Sequence, residues 1–264
     1  MSSYQAALLL GVSVGPAIGG LVTDLTGETG PFLVQGALAL LGAGAAFAFL
    51  TDTRGPSTSE RGSKTTHRLD LSMFRNRQVG VLALIMFGAF FTRTATNWQL
   101  IPVIARDSFG FGPRDIGLLL TAGAATNLAI LPFGGPAIDR WGGRLGIAVA
   151  CVAVVAALLI LGLSTTTAGL WTGMAVLGAA SGMLAPACAA YALQVSPGGH
   201  GQTMGALRMA GDLGLIIGPV ALGQVLVGIN LSERSGVLIN AGLVTLVCWA
   251  FLAVTTDRQS SLGA

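Results

Sequence analysis

The chain has 264 residues, of which 53% are hydrophobic and only 9% charged, with a formal net charge of +3 and a mean hydropathy of +0.75. A soluble domain carries about 25% charged residues, so a water-soluble globule is excluded. The apolar residues come in runs of roughly 20, the length a helix needs to cross about 30 Å of hydrocarbon, and the small positive excess sits in loops, where it gives no sign of nucleic acid binding.

Eight such runs follow in order, which predicts an all-α membrane protein of about eight transmembrane helices. They are Tyr4–Thr23, Pro31–Thr51, Gln78–Ile104, Ile116–Ile138, Leu145–Ser164, Leu170–Val195, Thr203–Ile229 and Gly236–Thr256. Glycine and proline inside them do not argue against helices, because neighbouring helices re-satisfy the freed backbone groups. The first run has no basic residue before it and continues into more protein, unlike a signal peptide.

The first run carries Gly11-Val12-Ser13-Val14-Gly15-Pro16-Ala17-Ile18-Gly19-Gly20. The seventh carries Gly214-Leu215-Ile216-Ile217-Gly218-Pro219-Val220-Ala221-Leu222-Gly223. One ungapped shift carries Gly11 onto Gly214, Gly15 onto Gly218, Gly20 onto Gly223 and Met1 onto Met204, so the two segments are expected to be related copies. Glycines four apart form a groove that lets another helix approach closely. The following proline cannot donate its N–H and loosens the helix one turn earlier.

Between the second and third runs lies a Ser-, Thr-, Gly- and Arg-rich stretch, 52–77, read as a flexible linker. Its end, with Leu69, Met73, Phe74, Arg75 and Arg77, suits the membrane surface or a plain juxtamembrane segment. The linker holds Arg54, Arg61, Lys64, Arg68, Arg75 and Arg77; Arg140, Arg144 and Arg258 fall on the same side, against only Arg106, Arg114 and Arg234 opposite. The positive-inside rule makes the richer side cytoplasmic and both termini with it.

In the third run Arg93 lies about 15 residues into the helix, at about 1.5 Å per residue well below the membrane surface. A cation there costs about 2.5–3.5 kcal/mol unless it faces protein or water. Asn97 follows one turn later among Thr92, Thr94 and Thr96. Arg93 and Asn97 are therefore candidates for lining a water-filled cavity and contacting substrate or a counter-ion; the alternatives are a structural pair holding two helices, or snorkelling towards the outer surface. Arg208 and Asp212, four apart, are expected to form an intrahelical ion pair, with proton carriage by Asp212 as the lesser reading. Asn127, Gln35, Gln224 and Tyr191 are further polar groups inside the runs. Cys151, Cys188 and Cys248 read as buried small residues. His67 and His200 lie in loops, and no nucleophile, metal-ligand or cofactor set appears within the runs, so neither an enzyme nor a metal protein is expected.

The fourth and fifth runs are joined by Gly135-Pro136-Ala137-Ile138-Asp139-Arg140-Trp141-Gly142-Gly143-Arg144, a basic reverse turn on its own terms. The Gly-Pro motif followed three runs later by this turn resembles the major facilitator superfamily, and within it the drug:proton antiporters of the multidrug and tetracycline exporter type. The segment 69–77 and Gly211-Asp212-Leu213-Gly214 are similar to that family's stretches before its seventh helix and in its eleventh. Pro136, Ile138, Gly143 and the ending Leu222-Gly223 depart from the usual pattern.

The resemblance implies that the eight runs are helices five to twelve of twelve. Residues 1–51 are then the remnant of a first bundle, 52–77 a cytoplasmic linker, 78–256 a six-helix bundle and 257–264 a cytoplasmic tail. It implies a plasma-membrane transporter coupling protons to efflux of drugs or small amphipathic metabolites, with Gly135, Asp139, Arg140, Gly142 and Arg144 as a cytoplasmic gating loop. It places Asp139 near Ser2 and Ser3. It pairs the first Gly-Pro helix with the run 116–138, and leaves Gly214 and Gly218 facing lipid or another chain, because their family partner is the second helix. The alternative is a truncated chain that inserts in the bilayer without transporting alone. Oligomeric state is left open.

Overall fold

A computed structural model of the protein describes residues 2–49, 76–196 and 200–262. The expected linker and surface segment fall outside them, apart from Asn76 and Arg77. Every described element is helical. The helices are α1 (Ser2–Thr26), α2 (Gly30–Phe49), α3 (Arg77–Phe91), α4 (Ile101–Phe109), α5 (Pro113–Trp141), α6 (Gly143–Leu163), α7 (Thr167–Val195), α8 (His200–Ile229) and α9 (Glu233–Leu262). Residues Thr92–Leu100 form a π-helical stretch that joins α3 to α4 in one rod, Arg77–Phe109. Among the described residues seven helices are long and apolar enough to cross a membrane, and α1 has a shorter apolar stretch, Leu10–Thr26.

The π stretch has a local cause. Pro102 opens α4; it offers no N–H, and its ring would crowd the carbonyl four residues back. A wider turn relieves that crowding, and the N–H of Ile101 reaches back five residues to the Thr96 carbonyl. The rod then runs a turn beyond the expected end at Ile104, because Arg106, Asp107 and Ser108 meet water without needing to stop the helix. It stops at Gly110, whose φ of 69° is left-handed. Gly110 N–H bonds Arg106 O and Phe111 N–H bonds Ala105 O, each at 3.0 Å, which satisfies carbonyls at the helix end.

The turn expected between α5 and α6 is shorter than the sequence implied. Gly135, Asp139 and Arg140 still belong to α5, and Gly142 alone separates the two helices at φ 84°, ψ 152°. That backbone region is essentially restricted to glycine, and other residues pay about 1–3 kcal/mol there. Gly142→Ala is expected to destabilise the detergent-solubilised protein by that free energy, read as a lowered thermal midpoint. An unchanged midpoint would show that the turn relaxes.

α5 and α6 both pack on α7, α6 also packs on α9, and the rod packs on α8 and α9. α3 touches α7 and closes the arrangement, α1 lies along α5, and α2 flanks α1. Two apolar clusters fill the bundle. One gathers Ile101, Ile104, Leu119, Leu158, Leu170 and Val237. The other gathers Leu82, Ile85, Ile147, Leu184, Leu207 and Phe251. The three cysteines are free and buried.

In a bilayer lipid is as apolar as the helices, so close packing of small residues drives their association. The tightest such contact lies between α5 and α7. A Cβ on Gly178 would overlap the Gly123 carbonyl oxygen and the Thr126 hydroxyl, and one on Gly182 would overlap Ile130. This glycine pair carries no proline, and the Gly-Pro pattern does not reveal it. At the first Gly-Pro motif, Gly20 abuts the Pro113 carbonyl oxygen and Gly117 abuts that of Pro16. Gly11, Gly15 and Gly19 have open space where a Cβ would stand, so the expected contact runs through Ser13, Pro16 and Gly20 and not through those three glycines.

The second motif corrects its expectation. Gly214 lies against the backbone of Phe87 and Phe91, and Gly218 against Phe91 and Thr94. The groove beside Pro219 is filled by the rod, not left to lipid or a second chain. A glycine groove states how closely a partner comes, and the rod supplied a partner within this chain.

Candidate substrate cavity

A cavity of about 160 Å³ opens between α1, the rod, α5 and α7. The wall is mainly apolar, including Val12 and Pro16 of α1, Leu120 of α5 and Met174 of α7. Arg93, Asn97 and Trp98 enter from the π stretch, where nine consecutive residues are wound more widely than in an α-helix. Ser13 and Ser181 also line it, and each already donates its hydroxyl proton: Ser13 to Ala124 O at 3.5 Å and Ser181 to Leu177 O at 2.7 Å.

Two groups in the cavity lack ordinary partners. Among the described residues, Arg93 is the sole charged side chain in the wall, and no carboxylate pairs with it. Its guanidinium carbon stands 5.0 Å from the centre of the Trp98 ring, a cation–π contact. Asn97 Oδ1 is buried with no hydrogen-bond donor among the described residues. Such an orphaned acceptor costs about 1–3 kcal/mol.

The opposite face of the π stretch is fully satisfied. Asn240 of α9 donates through Nδ2 to Thr92 Oγ1 at 3.0 Å and to Thr96 Oγ1 at 2.7 Å. The Thr92 hydroxyl is also 3.3 Å from Asn240 Oδ1. All three residues are buried. This clasp holds the wide turn against α9 and thereby aims Arg93 and Asn97 into the cavity. The sequence reading passed over Asn240; the signal available was Thr92 and Thr96 four apart, facing a lone asparagine in an apolar run. Asn240→Leu is expected to cost about 1–2 kcal/mol, the range of interhelical hydrogen bonds in membranes, read as a lowered melting midpoint. Asn240→Gln should recover part of it, and an unshifted midpoint for Leu would remove the clasp.

The remaining candidates lie elsewhere. Arg208 and Asp212 form the i,i+4 ion pair, with Nε 3.1 Å from Oδ1, and Arg208 also lies 5.5 Å from the Phe90 ring centre. Neither lines the cavity. Asp139 and Arg140 are exposed at the end of α5. Arg144 donates to the Thr255 hydroxyl at 3.1 Å, tying the start of α6 to α9. The proposed neighbours of Asp139, Ser2 and Ser3, have side chains outside the described set. Asn127 lines the cavity. Tyr191 packs edge-on against Phe251, with ring centres 5.6 Å apart.

The Major Facilitator Superfamily model matches residues 1–98 and 82–263, which together cover nearly the whole chain. The chain belongs to the major facilitator superfamily. Solved structures of transporters share the fold. The nucleoside transporter NupG (D323A mutant) superposes with a TM-score of 0.70 at 20% identity, covering 92% of this chain and 65% of its own. The human organic anion transporter MFSD10 (TETRAN) gives 0.58 at 20% identity, covering 66% of this chain and 40% of its own. The chain thus spans less than two thirds of the length of either. No curated protein matches by sequence. Superfamily membership and the apolar helices together make this a multi-pass membrane protein of a transporter family.

Proposed function

We propose that the protein is a secondary transporter whose substrate occupies the cavity between α1 and the helices from Arg77 onward, and which works by alternating access. The observation that carries this is the cavity itself: a mainly apolar pocket at mid-rod with an unpaired arginine, where an intramembrane charge marks a substrate or ion path. Two helix groups rocking about such a site would expose it to each side in turn. Residues 1–51 then act as part of one group and 78–256 as the other, joined by a cytoplasmic linker and followed by the tail 257–264. In this reading the helices are five to twelve of twelve, both termini are cytoplasmic, and the membrane is the plasma membrane. Gly135, Asp139, Arg140, Gly142 and Arg144 form the cytoplasmic gate. Protons are the coupling ion and small amphipathic molecules or drugs the cargo, moved outward.

A second reading is that the chain binds its substrate but transports only with four further helices. Two features favour it: four rods alone wall the cavity, and α2 rests mainly on α1.

Proteoliposomes carrying this chain alone, acid inside, should accumulate at least one labelled probe among benzoate, the monohydroxybenzoates and rhodamine 123. Accumulation should exceed that in protein-free vesicles and collapse with a protonophore. Accumulation only after four preceding helices are joined in frame supports the second reading. Accumulation in neither case sinks both.

A further inference from the structure

We propose that the cavity selects small amphipathic anions, a carboxylate with a nearby hydroxyl or N–H donor on a ring-sized apolar body. The proposal rests on the cavity being the substrate site and adds the chemistry of what fills it.

The charge argument comes first. Arg93 brings one positive charge into a wall that, among the described residues, contains no carboxylate. Asp212, an acid within the seventh apolar run, already faces Arg208 at 3.1 Å. Arg93 is exposed to the open cavity; a cation within the membrane span is costly without a counter-ion, and a carboxylate is the ligand group that a guanidinium's parallel donors fit. An amphipathic cation would add a second positive charge to the same pocket, so cations are selected against.

The acceptor argument is independent of charge. Asn97 Oδ1 is buried and lacks a donor, and both residues face the same cavity. A site built to accept a hydrogen bond rejects ligands that cannot supply one. The ligand therefore carries a donor as well as the anion.

Size and depth narrow the class further. An apolar cavity of about 150 Å³ holds a benzene-sized ring, and this one has about 160 Å³ with Trp98 and Met174 in its wall. Sixteen residues separate Arg77 from Arg93, about 24 Å at about 1.5 Å per residue. That depth removes the phosphates of lipid head groups, which stay at the surface, and leaves a diffusible solute.

The test is equilibrium binding to the purified full chain in an uncharged detergent. The probes are benzoate, its three monohydroxy derivatives, neutral benzamide and cationic benzylammonium. Benzoate should bind about tenfold or more tightly than benzamide or benzylammonium, the range expected for hydrogen bonds to a charged group. At least one monohydroxybenzoate should exceed benzoate by about two- to tenfold, and Asn97→Leu should abolish that difference. Asn97→Asp, close in shape, supplies Arg93 with a partner four residues away and should weaken benzoate about tenfold. Arg93→Glu should reverse the preference toward benzylammonium. Arg93→Lys should retain part of the anion preference. Size-exclusion profiles identify any variant that fails to fold, and the order of ligands on the wild-type chain decides the matter by itself.

Benzylammonium binding as tightly as benzoate overturns the proposal while leaving the cavity as a substrate site. Unchanged benzoate binding in folded Asn97→Asp overturns it too. No binding of any probe overturns both this proposal and the assignment of the cavity.

Discussion

Gly178→Leu is expected to abolish the folded bundle, leaving aggregated or proteolysed material where the parent chain gives a single monodisperse species. A leucine has nowhere to go at this position. Its Cβ alone would overlap the Gly123 carbonyl oxygen and the Thr126 hydroxyl, and the first is backbone, which no rotamer change can move. Four residues on, Gly182 lies against the Asn127 backbone carbonyl in the same way, with 2.6 Å available. Separating α5 from α7 to admit the side chain removes the contact that sets the whole helix pair. Overpacking costs about 1–3 kcal/mol even where a core can adjust, and whole-protein stabilities are only about 5–15 kcal/mol. The control is Gly15→Leu, where nothing described lies within 4 Å of the added carbon; it should change the stability by less than about 0.5 kcal/mol. Size-exclusion chromatography and thermal melts of the two variants separate the cases. Similar behaviour would mean that α5 and α7 are not held by that glycine pair.

The contrast between these glycines explains what the sequence could tell. Helix number was legible because each run is long enough to span hydrocarbon, and turns punctuate them. The predicted run 170–195 is a helix from Thr167 to Val195, and Gln78–Ile104 lies inside the rod. Ends drifted where polar residues such as Arg106 and Asp139 continue a helix into water. Partners were less legible. Glycine spacing marks a close approach without naming the neighbour, so the expectation of lipid or another chain at Gly214 gives way to Phe87 and Phe91, which lie against it. The π stretch was out of reach as well, since its register depends on Pro102 together with an asparagine 144 residues beyond Thr96. Arg93 and Asn97 stood out because polar groups in hydrocarbon are costly. The same logic should have raised Asn240.

Arg93→Leu is expected to make the protein more stable and unable to respond to ligand. In the absence of substrate Arg93 holds an uncompensated charge. A mid-membrane arginine costs about 2.5–3.5 kcal/mol on insertion scales, of which the Trp98 contact returns about 0.5–2 kcal/mol. Leucine removes the charge, keeps an apolar side chain in the wall, and leaves the Asn240 clasp on the other face intact. The net gain of about 0.5–3 kcal/mol corresponds to a midpoint rise of roughly 1–12 °C, at about 2–4 °C per kcal/mol for a chain of this size. Benzoate, which should stabilise the parent by mass action, should leave the Arg93→Leu midpoint unmoved. A residue that only bridged two helices would give the opposite sign, because losing it lowers the midpoint with or without ligand. Stability given up at one position in exchange for a binding function is the common pattern of functional sites, and the direction of this single shift separates a ligand-binding arginine from a structural one.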